Sequence, residues 1–515
     1  LFAGFDVGAQ PGAAVGISIG GAPAYARGFG RAHLELPVPL APDMRMRLGS
    51  ISKHFTALLL LLLCEEGKAA LDDPLGRWLP NLPSAVGAVS LEMLAQHLSG
   101  LRDVMDIVWH VGGTGPHLET FDFLDLYRRI DAVQAPAGFR FTYNNGGYLL
   151  LSVALEAIGG ASLAELLERY IFAPAGMRAT LLRASDADFV DNSASLHMIG
   201  ADGVFRKEYL GTVGGGAGGV VSTIDDMLLW LAQFFEPTIG TPGNWARVAT
   251  SGQLPNGIAT HYGLGLIASE YRGARVLWHS GGVMGGHAQM LVMPSAGLGI
   301  ITIVNRHDAS AVRLTEQIID AIVPDLDHCE NEASPEALGE GIYRSPTSGR
   351  VISLARRGAA TIATVDGSDE TLASDGAGRW GPAGARSYVA RRLSVANEAL
   401  LFDDYGASEW LETLPPPSDA APLPEPEELF VSADAGLAAT ARFGKDLLQM
   451  TGLGGQQSYA LTPLGLGVWQ ARATSIMGWT GIVAVDADAR GFAFSNARTR
   501  ALRFVPAGHG QSVPS

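Results

Sequence analysis

Near residue 330 the periodicity of the chain changes, and one hydrophobic core cannot serve both sides of that change. Before it, helical and strand patterns alternate; after it, helix patterns disappear and short alternating stretches separated by Gly, Ser, Asp and Pro take over. Val351 to Ala355, Thr361 to Val365, Ser387 to Leu393 and Ala399 to Phe402 read as strands, and the proline-rich stretch Pro415 to Pro426 reads as a linker. The pattern then repeats. Gly341-Ile342-Tyr343-Arg344-Ser345 opens one unit and Glu428-Leu429-Phe430-Val431-Ser432 opens the next. Two similar small antiparallel β-barrels, each closing its own sheet edges, are expected. At roughly 100–200 residues per domain, the chain divides into residues 1–330, 331–417 and 418–515.

The first 330 residues have an α+β pattern. Residues 13–20 read as a strand, Gly20-Gly21 as a turn, and Tyr25 to Gly30 as the returning strand. Ser52 to Glu66 is a strongly apolar helix ended near Gly67, and Leu91 to Leu98 and Gly147 to Ile158 are further helices. Thr223 is an N-cap candidate for a helix through Phe235, with Asp225 and Asp226 favoured in its first turn. Residues 275–303 hold three apolar runs broken by glycines, which suits neighbouring antiparallel strands, and Val312 to Ile322 is a last helix.

Apolar residues make up 47% and charged residues 17%, a globular composition. The formal charge of −16 repels phosphate backbones and anionic membranes, so nucleic acid is not expected as a partner. The longest apolar run, Phe55 to Cys64, is too short for a bilayer, which needs about 20 such residues, so it is read as a buried helix. Cys64 lies in that run and reads as a buried inert thiol, whereas Cys329 sits in a polar stretch. They form neither a disulfide framework nor a metal-ligand cluster, and they are compatible with cytoplasm or periplasm, with a slight lean to the periplasm. The chain opens at Leu1 without a methionine, which is compatible with a removed leader, although no signal-peptide pattern is visible. His279 and His287 lack a standard metal-ligand spacing, and glycines 214–216, 218 and 219 lack the Lys-Ser/Thr pair of a phosphate loop. No metal and no cofactor are expected.

The chemistry gathers at three points. Ser50-Ile51-Ser52-Lys53 places a hydroxyl and an amine about one helical turn apart, on one face. The helix start favours negative charge developing at Ser50, and desolvation by the leucines that follow would lower the lysine pKa, as a basic role requires. Taken alone, Ser-x-x-Lys is a weak signal, since an N-cap serine beside a solvated lysine explains an isolated match. Thr142-Tyr143-Asn144-Asn145-Gly146 adds a loop tyrosine able to carry a proton if a cation holds it near ionisation, and an amide, Asn145, able to orient a substrate. A simple Asn/Gly turn would explain it equally well in isolation. Trp278-His279-Ser280-Gly281-Gly282 opens a strand whose glycines let an extended substrate lie alongside, with the N–H groups of Ser50 and Gly282 as oxyanion donors. His279 alone would more often be a satisfied interior histidine. The conjunction of all three, in suitable contexts, is far more specific than any part.

In this order, Ser-x-x-Lys, Tyr-x-Asn and His-x-Gly resemble the serine β-lactamase and penicillin-binding-protein superfamily, and in particular its class C-like branch of β-lactamases, esterases and D-peptidases. Supporting segments are Leu71-Asp72-Asp73-Pro74, His97-Leu98-Ser99-Gly100-Leu101, Ile171 to Met177, and Gly218-Gly219. The resemblance covers residues 10–325. It implies a β-lactamase/transpeptidase-like catalytic domain, an antiparallel sheet flanked by helices, followed by two lipocalin-like barrels as in bacterial D-aminopeptidases. It also implies an acyl-enzyme on Ser50, proton transfers shared by Lys53 and Tyr143, electrostatic tuning by His279, and substrate or oxyanion contacts from Asn145, Gly281 and Gly282. Which of Lys53 and Tyr143 is the base is left open at this point.

Two departures bear on specificity. The D-aminopeptidase tail sends a loop bearing an acidic residue into the active site; the corresponding stretch here, Gln470 to Thr480, is short and has no acid. Ile267 stands where a polar substrate-contacting residue is expected. The resemblance therefore implies a peptidase acting within longer peptides with D- or non-standard residues, linearised nonribosomal peptides such as microcystin-type toxins among them. A carboxylesterase or β-lactamase shares the same constellation, and a catalytically silent binding protein shares the fold. The expected partner is a peptide or a small amide or ester, and an oligomer is compatible with the sequence.

Overall fold

The computed structural model describes residues 1–515 except 7–8, 115–121, 130–132, 201, 208–213, 327–337, 367, 375–377, 384–390, 397–398, 417–422, 425–427, 433–438, 453–454, 476–477, 487–489 and 508–515. Cys329, part of the strand expected over Ser387–Leu393 and most of the linker expected over Pro415–Pro426 lie outside the described residues.

Six strands form one antiparallel sheet: β1 (Ala13–Ile19), β2 (Ala22–Phe29), β3 (Ile267–Tyr271), β4 (Ala274–Val283), β5 (Gly286–Met293) and β6 (Leu298–Val304). Their order is β2-β1-β6-β5-β4-β3, so the two ends of the segment meet where β1 pairs with β6, Ala13 opposite Val304. Leu298–Val304 is buried at every position, as a strand covered on both faces must be. Helices α1 (Ser52–Glu65), α2 (Val104–Gly112), α3 (Asn145–Gly159), α4 (Ile224–Ala232) and α5 (Ala311–Ile322) complete this part, with α4 and α5 packed directly on the sheet. The leucines of α1 enter the main core together with the inner faces of α3 and α4. Thr223 caps α4 through the Asp226 N–H. This helix stops short of Phe235 because the Gln233 side chain accepts from Thr238 N and Ile239 N and folds the chain back. The helix expected over Leu91–Leu98 stops at Ala95, because His97 takes a left-handed conformation (φ +60°). Cys64 is half-buried, and burial together with Asp73 and Asp72 pushes its thiol up to about 11.

Beyond the sheet come two closed eight-stranded antiparallel barrels, one running from Gly341–Arg344 to Ala407–Thr413 and the other from Phe430–Ser432 to Leu502–Pro506. Closure removes the free edges that short strands would otherwise expose. Their interiors are packed with side chains: Tyr343, Trp380 and Phe402 in the first, Phe430, Tyr459, Phe492 and Phe504 in the second. Ile107 and Val111 of α2 belong to the second barrel's apolar cluster, and Tyr459 Oη donates to the His110 carbonyl at 2.7 Å. The barrel thus packs on the helical part with core-like contacts. Among the described residues no single helix is long and apolar enough to cross a membrane.

Candidate active site

Ser50 sits in a tight turn, Gly49–Ile51, that leads directly into α1. The turn has little freedom. Gly49 takes φ +55°, which favours glycine, and the Ser52 hydroxyl donates to Gly49 O at 2.6 Å while accepting from Val220 N at 3.0 Å. A Cβ at Gly281 would collide with the Leu48 carbonyl oxygen, so the strand glycine lets the turn press against β4.

Three residues on, Lys53 is fully buried. Its Nζ lies 3.3 Å from Ser50 Oγ, 2.8 Å from Asn145 Oδ1 and 2.7 Å from the Ala217 carbonyl oxygen. Burial holds the amine well below its ordinary value; the Arg498 guanidinium acts in the same direction and Asp103 against it. The Gly214–Gly219 run packs closely, since a Cβ at Gly216 would collide with Thr56, and that approach brings Ala217 O to the amine. Gly215–Gly218 form a short helical turn against Lys53.

Asn144 caps α3 by accepting from Gly147 N at 2.8 Å, which leaves Asn145 in the first helical position and facing Lys53. Asp103, fully buried, accepts from the Asn145 and Gly146 N–H groups at 3.0 Å each and also caps α2. The Tyr143 phenol lies beside Ser50 in the cavity wall, and Lys53 Nζ lies 4.8 Å from the centre of its ring. Burial raises this phenol well above the usual tyrosine range, against the pull of Ser50 and Arg498, so Tyr143 is protonated near neutrality. His97 supports the loop from below: its Nδ1 accepts from Asn144 N at 3.0 Å, and its ring centroid is 4.3 Å from that of Tyr143.

Strand β3 pairs with β4 only as far as Trp278, so from His279 onward the outer edge of β4 has no strand partner among the described residues. Gly282 lies on this stretch, exposed, beside Ser50 in the cavity wall; Gly281 is buried under the Gly49–Ile51 turn. His279 is buried, and its Nε2 lies 3.0 Å from Tyr262 Oη. Burial and the nearby Lys53 push its pKa down to about 3, so the imidazole is neutral.

This depression has a consequence for stability. Between about 3 and the ordinary 6.5, the folded state carries one proton fewer at His279 than the unfolded chain. The unfolding free energy should therefore fall as pH drops through this window, by up to about 1.4 kcal/mol per pH unit for one such site. His54 and His97, also depressed by burial, act with the same sign. Urea unfolding at several pH values should show a shallower dependence in His279→Gln than in the wild type; identical slopes would mean that His279 titrates normally.

The site opens into a cavity of about 1050 Å³ walled by the catalytic part and both barrels. Ile267 is in the wall, with Phe139 and Trp410 exposed at it. The described residues of Gln470–Thr480 do not line this cavity; they belong to a hairpin whose Trp479 stacks on His110, with ring centroids 5.1 Å apart. The tail segment that reaches the site is Asn496–Arg500, between the last two strands of the second barrel, and the sequence analysis missed it. Asp106 accepts from Asn496 Nδ2 at 2.8 Å and Thr499 Oγ1 at 2.6 Å, and Gln134 Nε2 donates to Arg498 O at 3.0 Å. Arg500 donates twice to Asp366 of the first barrel, at 2.8 and 2.9 Å. Held in this way, the loop carries the Arg498 guanidinium to 5.0 Å above the Tyr143 ring.

Residues 2–322 match the family described as Beta-lactamase. A D-aminopeptidase of Gluconobacter oxydans (strain 621H) is 27% identical over 336 residues, covering 64% of this chain and 62% of that protein. A D-aminopeptidase of Brucella canis is 27% identical over 351 residues, covering 67% of this chain and 65% of that protein. The chain thus spans less than two thirds of the length of these curated relatives. The octameric penicillin-binding protein homologue from Pyrococcus abyssi superposes with a TM-score of 0.55 at 19% identity, over 86% of this chain and 94% of that one. The D-amino acid amidase from Ochrobactrum anthropi SV3, complexed with L-phenylalanine, does so with a TM-score of 0.51 at 22% identity, over 60% of this chain and 93% of that one. At these identities the likeness shows a shared fold.

Proposed function

Since the chain belongs to the beta-lactamase family, we propose that it is a serine hydrolase that opens amide bonds in peptides through an acyl-enzyme on Ser50. The observation that carries this reading is the bonding around Lys53. A neutral amine has two N–H donors and one lone pair. Asn145 Oδ1 and Ala217 O take the two donors at 2.8 and 2.7 Å, so the lone pair is left for the Ser50 hydroxyl at 3.3 Å. With Tyr143 held protonated by burial, Lys53 is the base and Tyr143 the acid.

Ser50 Oγ gives its proton to Lys53 and attacks the substrate carbonyl, and the Ser50 and Gly282 N–H groups receive the oxyanion. On collapse the Tyr143 phenol protonates the leaving amine and is itself reprotonated from Lys53. Asn145 orients the substrate amide, and Gly281 keeps the turn against β4. His279, uncharged, holds Tyr262 beside the loop and adds no cation that would disfavour protonated Lys53. Water then releases the acyl group.

The size of the cavity and the unpartnered edge of β4 favour an extended peptide over a single residue. The names of the D-aminopeptidase relatives favour amide bonds next to D-residues. We assign as substrates peptides with D- or non-standard residues, linearised nonribosomal peptides of the microcystin type among them. Incubation with a fluorophosphonate or with penicillin, followed by mass spectrometry, should place one adduct on the peptide containing Ser50. Absence of any adduct there would overturn the reading.

A further inference from the structure

We propose that Arg498, delivered by the second barrel, binds a carboxylate of the substrate next to the scissile amide, with Arg140 as a second anion contact further along the cavity, so that the enzyme selects acidic peptides. The inference rests on the hydrolase reading above. The wall contains five arginines, at 140, 350, 391, 498 and 500, in a chain whose net charge is −16. Three of them are occupied. Arg350 pairs with Asp404 at 3.1 Å and Glu409 at 2.8 Å, Arg391 with Asp404 at 2.8 Å and Glu370 at 3.3 Å, and Arg500 with Asp366.

The other two are less fully engaged. Arg140, mostly buried, makes no hydrogen bond or ion pair among the described residues, and its Nε is a buried donor without an acceptor. Burial and the flanking Arg500 and Arg350 guanidiniums disfavour its charge more than Glu409 and Asp404 favour it, a penalty that an incoming carboxylate would relieve. Arg498 comes no closer than 3.9 Å to Asp103, whose oxygens already accept the N–H groups of Asn145, Gly146 and Met105. Its side chain stays about a third exposed, toward the cavity. A guanidinium placed over the tyrosine of the site, whose donors make no hydrogen bond among the described residues and only a long ion pair with Asp103, is suited to receive a carboxylate in a forked geometry. Phe139 and Trp410 supply apolar surface to the remainder of such a ligand.

The test uses the full-length protein and needs no known substrate. Ser50 is labelled with a fluorophosphonate in the presence of N-acetyl-glutamate or N-acetyl-glutamine, each in D and L form. Glutamate of one configuration should protect at concentrations about 10- to 100-fold lower than the matching glutamine, the range expected of a charge-assisted pair. Arg498→Gln should abolish that difference, and Arg498→Lys should restore part of it. Equal protection by the two ligands, no protection by either, or a preference that survives Arg498→Gln would overturn the proposal while leaving the hydrolase reading intact. Failure of the wild type to label at all would overturn both.

Discussion

Ser50→Ala should abolish turnover while the protein remains folded. Ser50 is half-buried at the cavity wall, and its hydroxyl packs into no apolar cluster. The turn that presents it is held by Ser52, Val220 and Gly49, all untouched by the substitution. The change in stability should thus stay within about 1 kcal/mol, as for substitutions away from cores and caps. Activity is another matter, because the proposed acyl-enzyme forms on the hydroxyl that this substitution removes. Removal of a serine nucleophile from an intact oxyanion site lowers kcat by roughly 10⁴- to 10⁶-fold. Steady-state hydrolysis of a peptide substrate, with circular dichroism and thermal melting of the same samples, checks both halves. Ordinary activity in the variant would remove Ser50 from its assigned role.

Lys53→Met should lower the rate of acylation by roughly 10³- to 10⁴-fold, at the upper end of acid–base contributions. Methionine keeps most of the volume in a fully buried position, but the acceptors Asn145 Oδ1 and Ala217 O lose their donor. An unsatisfied buried acceptor costs about 1–3 kcal/mol, so this variant should also melt earlier than Ser50→Ala. Fluorophosphonate labelling measured by stopped reaction gives the acylation rate directly. In the wild type that rate should fall as pH drops through the depressed pKa of the amine, since protonation removes the base. A labelling rate in Lys53→Met close to that of the wild type would point to a different base.

Ser50, Lys53, Tyr143 and Asn145, which the fold brings together, were legible because each belongs to a short motif set by local geometry: a turn into a helix, or a loop capping one. Barrel strands were legible through their period-two alternation and glycine-rich turns. The electrostatic frame was not. Asp103 reads as one more acidic residue before an apolar helix, and only the fold brings the start of α3 to its oxygens. Asn496-Ala497-Arg498-Thr499-Arg500 reads as a polar turn between two strands. Its destination depends on Asp106, Gln134 and Asp366, each more than 100 residues away in the chain. The intruding tail segment was expected earlier in the second barrel, at Gln470–Thr480, where the described residues instead pack on α2 through Trp479. Arginines alternating with small residues on the turn at 496–500 were the signal that was available.

Helix α2 inserts Ile107 and Val111 among the side chains of the second barrel. Recombination of such tails between relatives is therefore constrained: a barrel transplanted without its matching helix would meet the wrong apolar surface, so inheritance of the two as a pair is favoured. If Arg498 selects the substrate as proposed, a change of a few residues in the 496–500 loop alters specificity without disturbing that packing.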